Sequence, residues 1–179
     1  IKHNYKKILF MIEACYSGSV AEAITAPDVG IITAANDQES SYAAVYDETI
    51  GTYLSNEFTN HFIATIDETP EITVGELYST LKKETVESHV CYYGDEAVKS
   101  LPLSTFIGTP TKTIPHNKDR STFKSVKPKE ATEKTLLYLS KHEKASTRSR
   151  ARLQLLRLKA QSEKLDAVLD LLVKFVDPK

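Results

Sequence analysis

The run Ile8-Leu9-Phe10-Met11-Ile12 closes on Glu13-Ala14-Cys15 and then on a small Ser17-Gly18-Ser19 turn. Nearly continuous apolar character, bounded by a turn of small residues, reads as a strand over 8–14 buried in a mainly parallel sheet. Such a strand needs helices on its faces, so this one segment restricts the chain to an α/β layer fold. It also fixes where chemistry can sit. Side chains at its end stand at the carboxyl edge of the sheet, where open α/β sheets form their ligand crevices. Cys15 is thereby placed as a candidate nucleophile. A cysteine is otherwise among the most buried residue types and behaves as a small hydrophobe.

The rest of the chain supports the same class. Val20–Thr25 has helical character, and Val29–Ala35 reads as a second buried strand running into the polar loop Asn36–Ser41. Tyr53, Phe58, Phe62 and Ile66 predict an amphipathic helix over 50–66. Thr73 with Glu76 three residues on forms a capping-box pattern that opens a helix over 73–86. His89–Tyr93 is a short β-like run. Residues 109–135 hold Pro110, Pro115 and Pro128 among many Lys, Ser and Thr, which is linker composition. Two helices are expected beyond, about 131–143 and about 147–176. The second carries Leu153, Leu156, Ala160, Leu165, Leu169, Leu172 and Val176 at mixed three- and four-residue spacing. The expected organisation is an α/β body over 1–108, a linker over 109–130 and a small all-α segment over 131–179.

Charge divides the chain in the same place. The net charge of −1 over 179 residues hides 7 basic and 16 acidic residues in 1–117 against 16 basic and 8 acidic in 118–179. A −9 body and a +8 tail can attract one another, or the tail can meet another anionic surface. Apolar residues at 41% suffice for a core, and no apolar stretch is long enough to span a bilayer. Cys15 and Cys91 make no disulfide framework, and Cys91 reads as a core or near-surface thiol. No spacing of metal ligands occurs, so neither a metal nor a cofactor is expected.

A cysteine nucleophile needs a proton shuttle and an oxyanion site. The N–H of Cys15 is a candidate oxyanion donor. None of His3, His61, His89, His116 and His142 has a catalytic context in the sequence.

Glu13-Ala14-Cys15-Tyr16-Ser17-Gly18-Ser19 resembles the nucleophile segment of the legumains, the asparaginyl endopeptidases of the caspase-like clan. Ile32-Thr33-Ala34-Ala35-Asn36, followed by Glu39-Ser40-Ser41-Tyr42, is similar to the family's specificity loop. Tyr46-Asp47-Glu48 and Thr52-Tyr53-Leu54 continue in register. Ser88-His89-Val90 with Tyr93-Gly94 resembles the segment that closes the catalytic domain. The likeness covers residues 5–108.

The resemblance implies a caspase-like sheet flanked by helices. It also implies a cysteine endopeptidase that cleaves after Asn, and after Asp at lower pH, through a thioester on Cys15. The catalytic His and the second oxyanion N–H would come from a segment before Ile1, so this chain is expected to be the C-terminal part of the protease. Carried over by position, the substrate pocket is built from Glu13, Ser40, Ser41 and Asn56. The family usually has Asp where Asn56 stands, which predicts weaker discrimination of Asn from Asp. The basic tail would be an inhibitory prodomain, released in acid as body carboxylates protonate, with self-cleavage after Asn117 or Asp119 in the linker. Expected partners are peptide and protein substrates, the N-terminal part of the same protease and the chain's own tail, with no nucleic acid and no membrane. The expected compartment is an acidic lysosome- or vacuole-like organelle of the secretory pathway, or the exterior.

Two alternatives stay within the clan: a catalytic subunit like that of the glycosylphosphatidylinositol transamidase, and an inactive relative. The basic helical tail has no role in the first. A nucleic-acid-binding tail is disfavoured, because the Arg-rich stretch 148–159 lacks interleaved aromatics.

Overall fold

A computed structural model describes residues 5–108 and 124–176. Two compact units are distinguished: Ile1–Asp47 with Tyr53–Pro128, and Glu48–Thr52 with Lys129–Lys179.

In the first unit, β1 (Ile8–Ile12) pairs in parallel with β2 (Val29–Thr33), Ile8 opposite Val29 and Ile12 opposite Thr33. On the other side of β2 lies β5 (Cys91–Gly94), running antiparallel with Thr33 opposite Cys91. All five residues of β2 are buried, as its central place requires. The expectation of a mainly parallel sheet is therefore corrected: the three-stranded sheet has one parallel and one antiparallel pair. An apolar pattern reports burial on two faces but not strand direction.

The expected helix over 50–66 is also corrected. Residues 52–56 form β4 (Thr52–Asn56), which makes a hairpin with β3 (Ala43–Asp47), and α2 (Glu57–Glu68) begins only afterwards. Tyr53 packs edge-on against Tyr46 across the hairpin, ring centres 4.9 Å apart, so its helical spacing to Phe58 is coincidental. The turn is permitted by Gly51 at φ +67°. Asn56 ends the strand and caps the helix, its Oδ1 accepting from the Thr59 amide at 3.3 Å.

The capping box appears in α3 (Val74–Glu84): Glu76 N–H donates to Thr73 Oγ1 at 3.2 Å, and Thr73 N–H to Glu76 Oε2 at 2.9 Å. Leu77 and Leu81 on α3, with Val74, Ile32, Ala34, Phe58, Val90, Val98 and Leu103, form the main core. A smaller cluster of Ala21, Val29 and Ile31 lies under α1 (Gly18–Glu22). The unit also includes a short helix α4 (Ser104–Ile107).

The second unit contains an αα-hairpin of α5 (Pro128–Leu139) and α6 (Ala145–Val176). Leu136 and Ala151 are buried in it, and Lys129 Nζ donates to Ser162 Oγ at 2.9 Å. Tyr138 on α5 donates its hydroxyl to the Thr49 carbonyl at 2.6 Å. No helix among the described residues is long and apolar enough to cross a membrane.

Candidate active site

β1 ends at Ile12, and the chain turns sharply through Ala14–Ser17 into α1. The turn is held from beneath by Ala35, two residues beyond the end of β2. Ser17, fully buried, accepts the Ala35 amide on its Oγ at 3.1 Å and donates the same hydroxyl to the Ala35 carbonyl at 3.1 Å. That carbonyl also receives the Gly18 amide at 3.1 Å and the Thr33 hydroxyl at 3.0 Å. A side chain at residue 18 would stand 2.8 Å from backbone atoms of Asn36 and Asp37, so only glycine allows this approach. Ser17 and Gly18 are thus required by close packing, whereas Ser19 is exposed.

Cys15 sits half-buried on this turn, with its thiol free. Its Sγ lies 3.9 Å from both the Ser41 carbonyl and the Ser41 hydroxyl. Tyr16, next in the chain, takes φ +58° and donates its amide to the Glu39 carbonyl at 2.7 Å. Among the described residues the Cys15 amide donates to no acceptor, which leaves it available to a developing oxyanion.

Glu13 lies on the same edge. Burial pushes its carboxyl above the usual range, partly offset by the hydroxyls of Ser41 and Thr59, which face it. Neither contact reaches full hydrogen-bond geometry, and both carboxylate oxygens are closed from solvent without a donor. Ser41 therefore borders both the thiol and an acceptor group that lacks donors.

The structure brings Glu13, Cys15 and Ser41 together. Ser40 is half-buried beside Ser41. Asn56 holds a different post: its oxygen is engaged as the α2 cap, and it stands one helical turn before Thr59. Asn117 and Asp119 lie outside the described residues. No described histidine hydrogen-bonds to Cys15. His61 lies on α2, its pKa lowered by burial against the opposing pull of Glu57 and Glu84. His89 does not lie within a strand as expected but precedes β5.

Sequence reasoning gave Glu39 no role, yet it is the polar hub of this edge. Its carboxylate accepts the His89 amide at 2.6 Å, His89 Nδ1–H at 2.8 Å and the Asn36 amide at 3.2 Å. Burial alone would raise the Glu39 carboxyl, but these donors hold it below its ordinary value. Because its carbonyl takes the Tyr16 amide, Glu39 connects the turn that carries Cys15, the 36–41 loop and the segment before β5. Ser88 completes that connection by donating to the Ala34 carbonyl at 2.7 Å.

The model of the Peptidase C13 family matches residues 1–109. Legumain from Mus musculus is 37% identical over 109 residues, 58% of this chain and 25% of that protein. Legumain from Homo sapiens is 36% identical over 117 residues, 62% of this chain and 27% of that protein. The vacuolar-processing enzyme delta-isozyme from Arabidopsis thaliana is 31% identical over 123 residues, 60% and 26% respectively. The chain thus spans about a quarter of the length of the curated relatives it matches.

Proposed function

Because the chain belongs to the Peptidase C13 family, the legumains, we propose that it supplies the nucleophile and the acceptor side of the specificity pocket of a cysteine endopeptidase cleaving after Asn. The observation that supports this reading best is the place of Ser41 between Cys15 and Glu13. A substrate Asn carboxamide carries two N–H donors, and Glu13 offers two oxygens without donors. An Asp side chain has no donor while ionised. Cleavage after Asp therefore needs a proton on the substrate acid or on Glu13, which the raised Glu13 pKa brings toward mild acid.

The chemistry follows from these positions. Cys15 Sγ attacks the carbonyl carbon after the recognised residue, and the oxyanion is received by the Cys15 amide. Collapse breaks the C–N bond, the departing amine takes a proton, and a thioester remains. Water then adds to the thioester, releasing the acid and restoring the thiol. In this reading the proton shuttle is a histidine from the rest of the protease, and the compartment is acidic. The basic tail is the inhibitory segment, removed by a cut after Asn117 or Asp119 when acid weakens its attraction to the acidic body.

The test uses the whole protease with peptides differing only in Asn, Asp or Gln at one position. Cleavage after Asn is expected, with Asp gaining as pH falls, and none with Cys15→Ala. Asn56→Asp keeps the helix cap and adds a charge, so it should sharpen the preference for Asn. Peptides cut without regard to that residue, or an Asn peptide that survives, would overturn the proposal.

A further inference from the structure

Two hydroxyls face the Glu13 carboxyl and oppose the effect of its burial, first that of Ser41 and then that of Thr59. The charged groups on the elements packed around this edge bind other partners. Glu39 holds His89 and the Asn36 amide. Glu57 holds the Val86 and Glu87 amides, and His61 lies in the fields of Glu57 and Glu84. Ser41 also borders the Cys15 thiol at 3.9 Å, so its hydroxyl stands beside two groups. Thr59 comes to Glu13 from a different element, the first turn of α2.

That turn is fixed at three points. Asn56 Oδ1 accepts the Thr59 amide at 3.3 Å. The Glu57 amide donates at 2.9 Å to the carbonyl of Tyr42, the residue after Ser41. The buried Glu57 carboxylate accepts the Val86 and Glu87 amides at 3.0 and 3.2 Å. Thr59 is therefore held through the backbone and the cap, and its hydroxyl faces Glu13 from a rigid support. A hydroxyl that can donate to a carboxylate favours the ionised form over the protonated one.

We propose that Thr59 is a positioning residue for specificity: from the first turn of α2 its hydroxyl steadies the ionised form of Glu13, and so sets the acidity at which a substrate Asp is accepted beside Asn. The proposal rests on the peptidase reading and deepens it. Ionised Glu13 receives the two N–H donors of a substrate carboxamide and repels an ionised Asp. Protonated Glu13 donates to that Asp instead. Replacing Thr59 by valine removes the hydroxyl and keeps the shape, while the Asn56 cap still holds the backbone amide. Glu13 then takes up its proton at higher pH, and Asp gains there at the expense of Asn.

The test uses the whole protease with Thr59→Val and Thr59→Ser. Cleavage of Asn and Asp peptides is followed from neutral pH into acid. In parallel, carbon-13-labelled glutamate follows the Glu13 carboxyl by NMR, its signal assigned by its loss in Glu13→Gln. In Thr59→Val the Glu13 titration should move to higher pH. The ratio of Asp to Asn cleavage in mild acid should rise about three- to tenfold, the net effect of one hydrogen bond on an equilibrium. Thr59→Ser, which keeps the hydroxyl, should behave as the parent in both measurements. A Glu13 titration unmoved in Thr59→Val, or moved equally in Thr59→Ser, overturns the role of Thr59 and leaves the peptidase reading standing. A titration that moves while the cleavage ratio stays fixed breaks the link from Glu13 to selectivity, and overturns the proposal through the reading it rests on.

Discussion

Replacing Ser17 by alanine tests whether the turn that carries Cys15 is held by Ala35 beyond β2 as described. Ser17 is fully buried, and its hydroxyl both donates to the Ala35 carbonyl and accepts the Ala35 amide at 3.1 Å. The two losses are unequal. The carbonyl keeps the Gly18 amide and the Thr33 hydroxyl, but the Ala35 amide is left buried without an acceptor. An orphaned buried donor costs about 1–3 kcal/mol, so Ser17→Ala should destabilise by about 2 kcal/mol, roughly a thirtyfold change in the folded ratio. Ser19 supplies the contrast: its exposed hydroxyl donates to the Tyr16 carbonyl at 2.7 Å, and Ser19→Ala should cost less than about 0.5 kcal/mol. The chain has no Trp, so urea unfolding is followed by far-ultraviolet circular dichroism. A drop of about 1–2 M in the midpoint, with the slope unchanged, is expected for Ser17→Ala. Iodoacetamide should also modify Cys15 faster relative to Cys91, because the turn loosens. Equal midpoints for Ser17→Ala and Ser19→Ala would refute the reasoning.

Two further predictions concern acid. Burial raises the Glu13 carboxyl above its ordinary value of 4.5, so the stability it contributes is present below that value and lost as pH rises through its folded value. Glu13→Gln should therefore stabilise the protein at neutral pH and lose that advantage near pH 4.5; thermal melts across pH read this, and a pH-independent difference contradicts it. Glu39 is the opposite case, held below 4.5 chiefly by His89, with stability present above the ordinary value and lost as pH falls through the depressed one. Glu39→Gln should cost about 1 kcal/mol at neutral pH, from weakened charge-assisted hydrogen bonds, and little in acid. Unchanged melting at neutral pH would remove Glu39 from its place as the hub.

How far the site was legible in the sequence depended on the range of each interaction. The place of Cys15 and Glu13 at one sheet edge was legible because a strand end and its turn are neighbours in the chain. The Thr73–Glu76 capping box was found for the same reason, since its partners are three residues apart. Glu39 was missed as a hub because, beyond the local Asn36 amide, its partners Tyr16 and His89 are 23 and 50 residues away. β4 was misread because periodicity over 50–66 cannot register a partner strand, and the Tyr46–Tyr53 contact that stabilises the hairpin exists only once the chain reverses.

The sequence by itself determined the apolar strands β1 and β2, the helix starts that rest on local caps, the candidate pair Cys15 and Glu13 at one strand end, and the division between an acidic body and a basic helical tail. Burial, capping and net charge are properties of short stretches, so composition and spacing record them. Only the tertiary structure decided that β5 runs against β2, that Ser41 stands between Cys15 and Glu13, and that Glu39 joins three separate segments. Those facts depend on which distant residues meet when the core closes, and a hydrogen bond between them leaves no periodic trace in the order of amino acids.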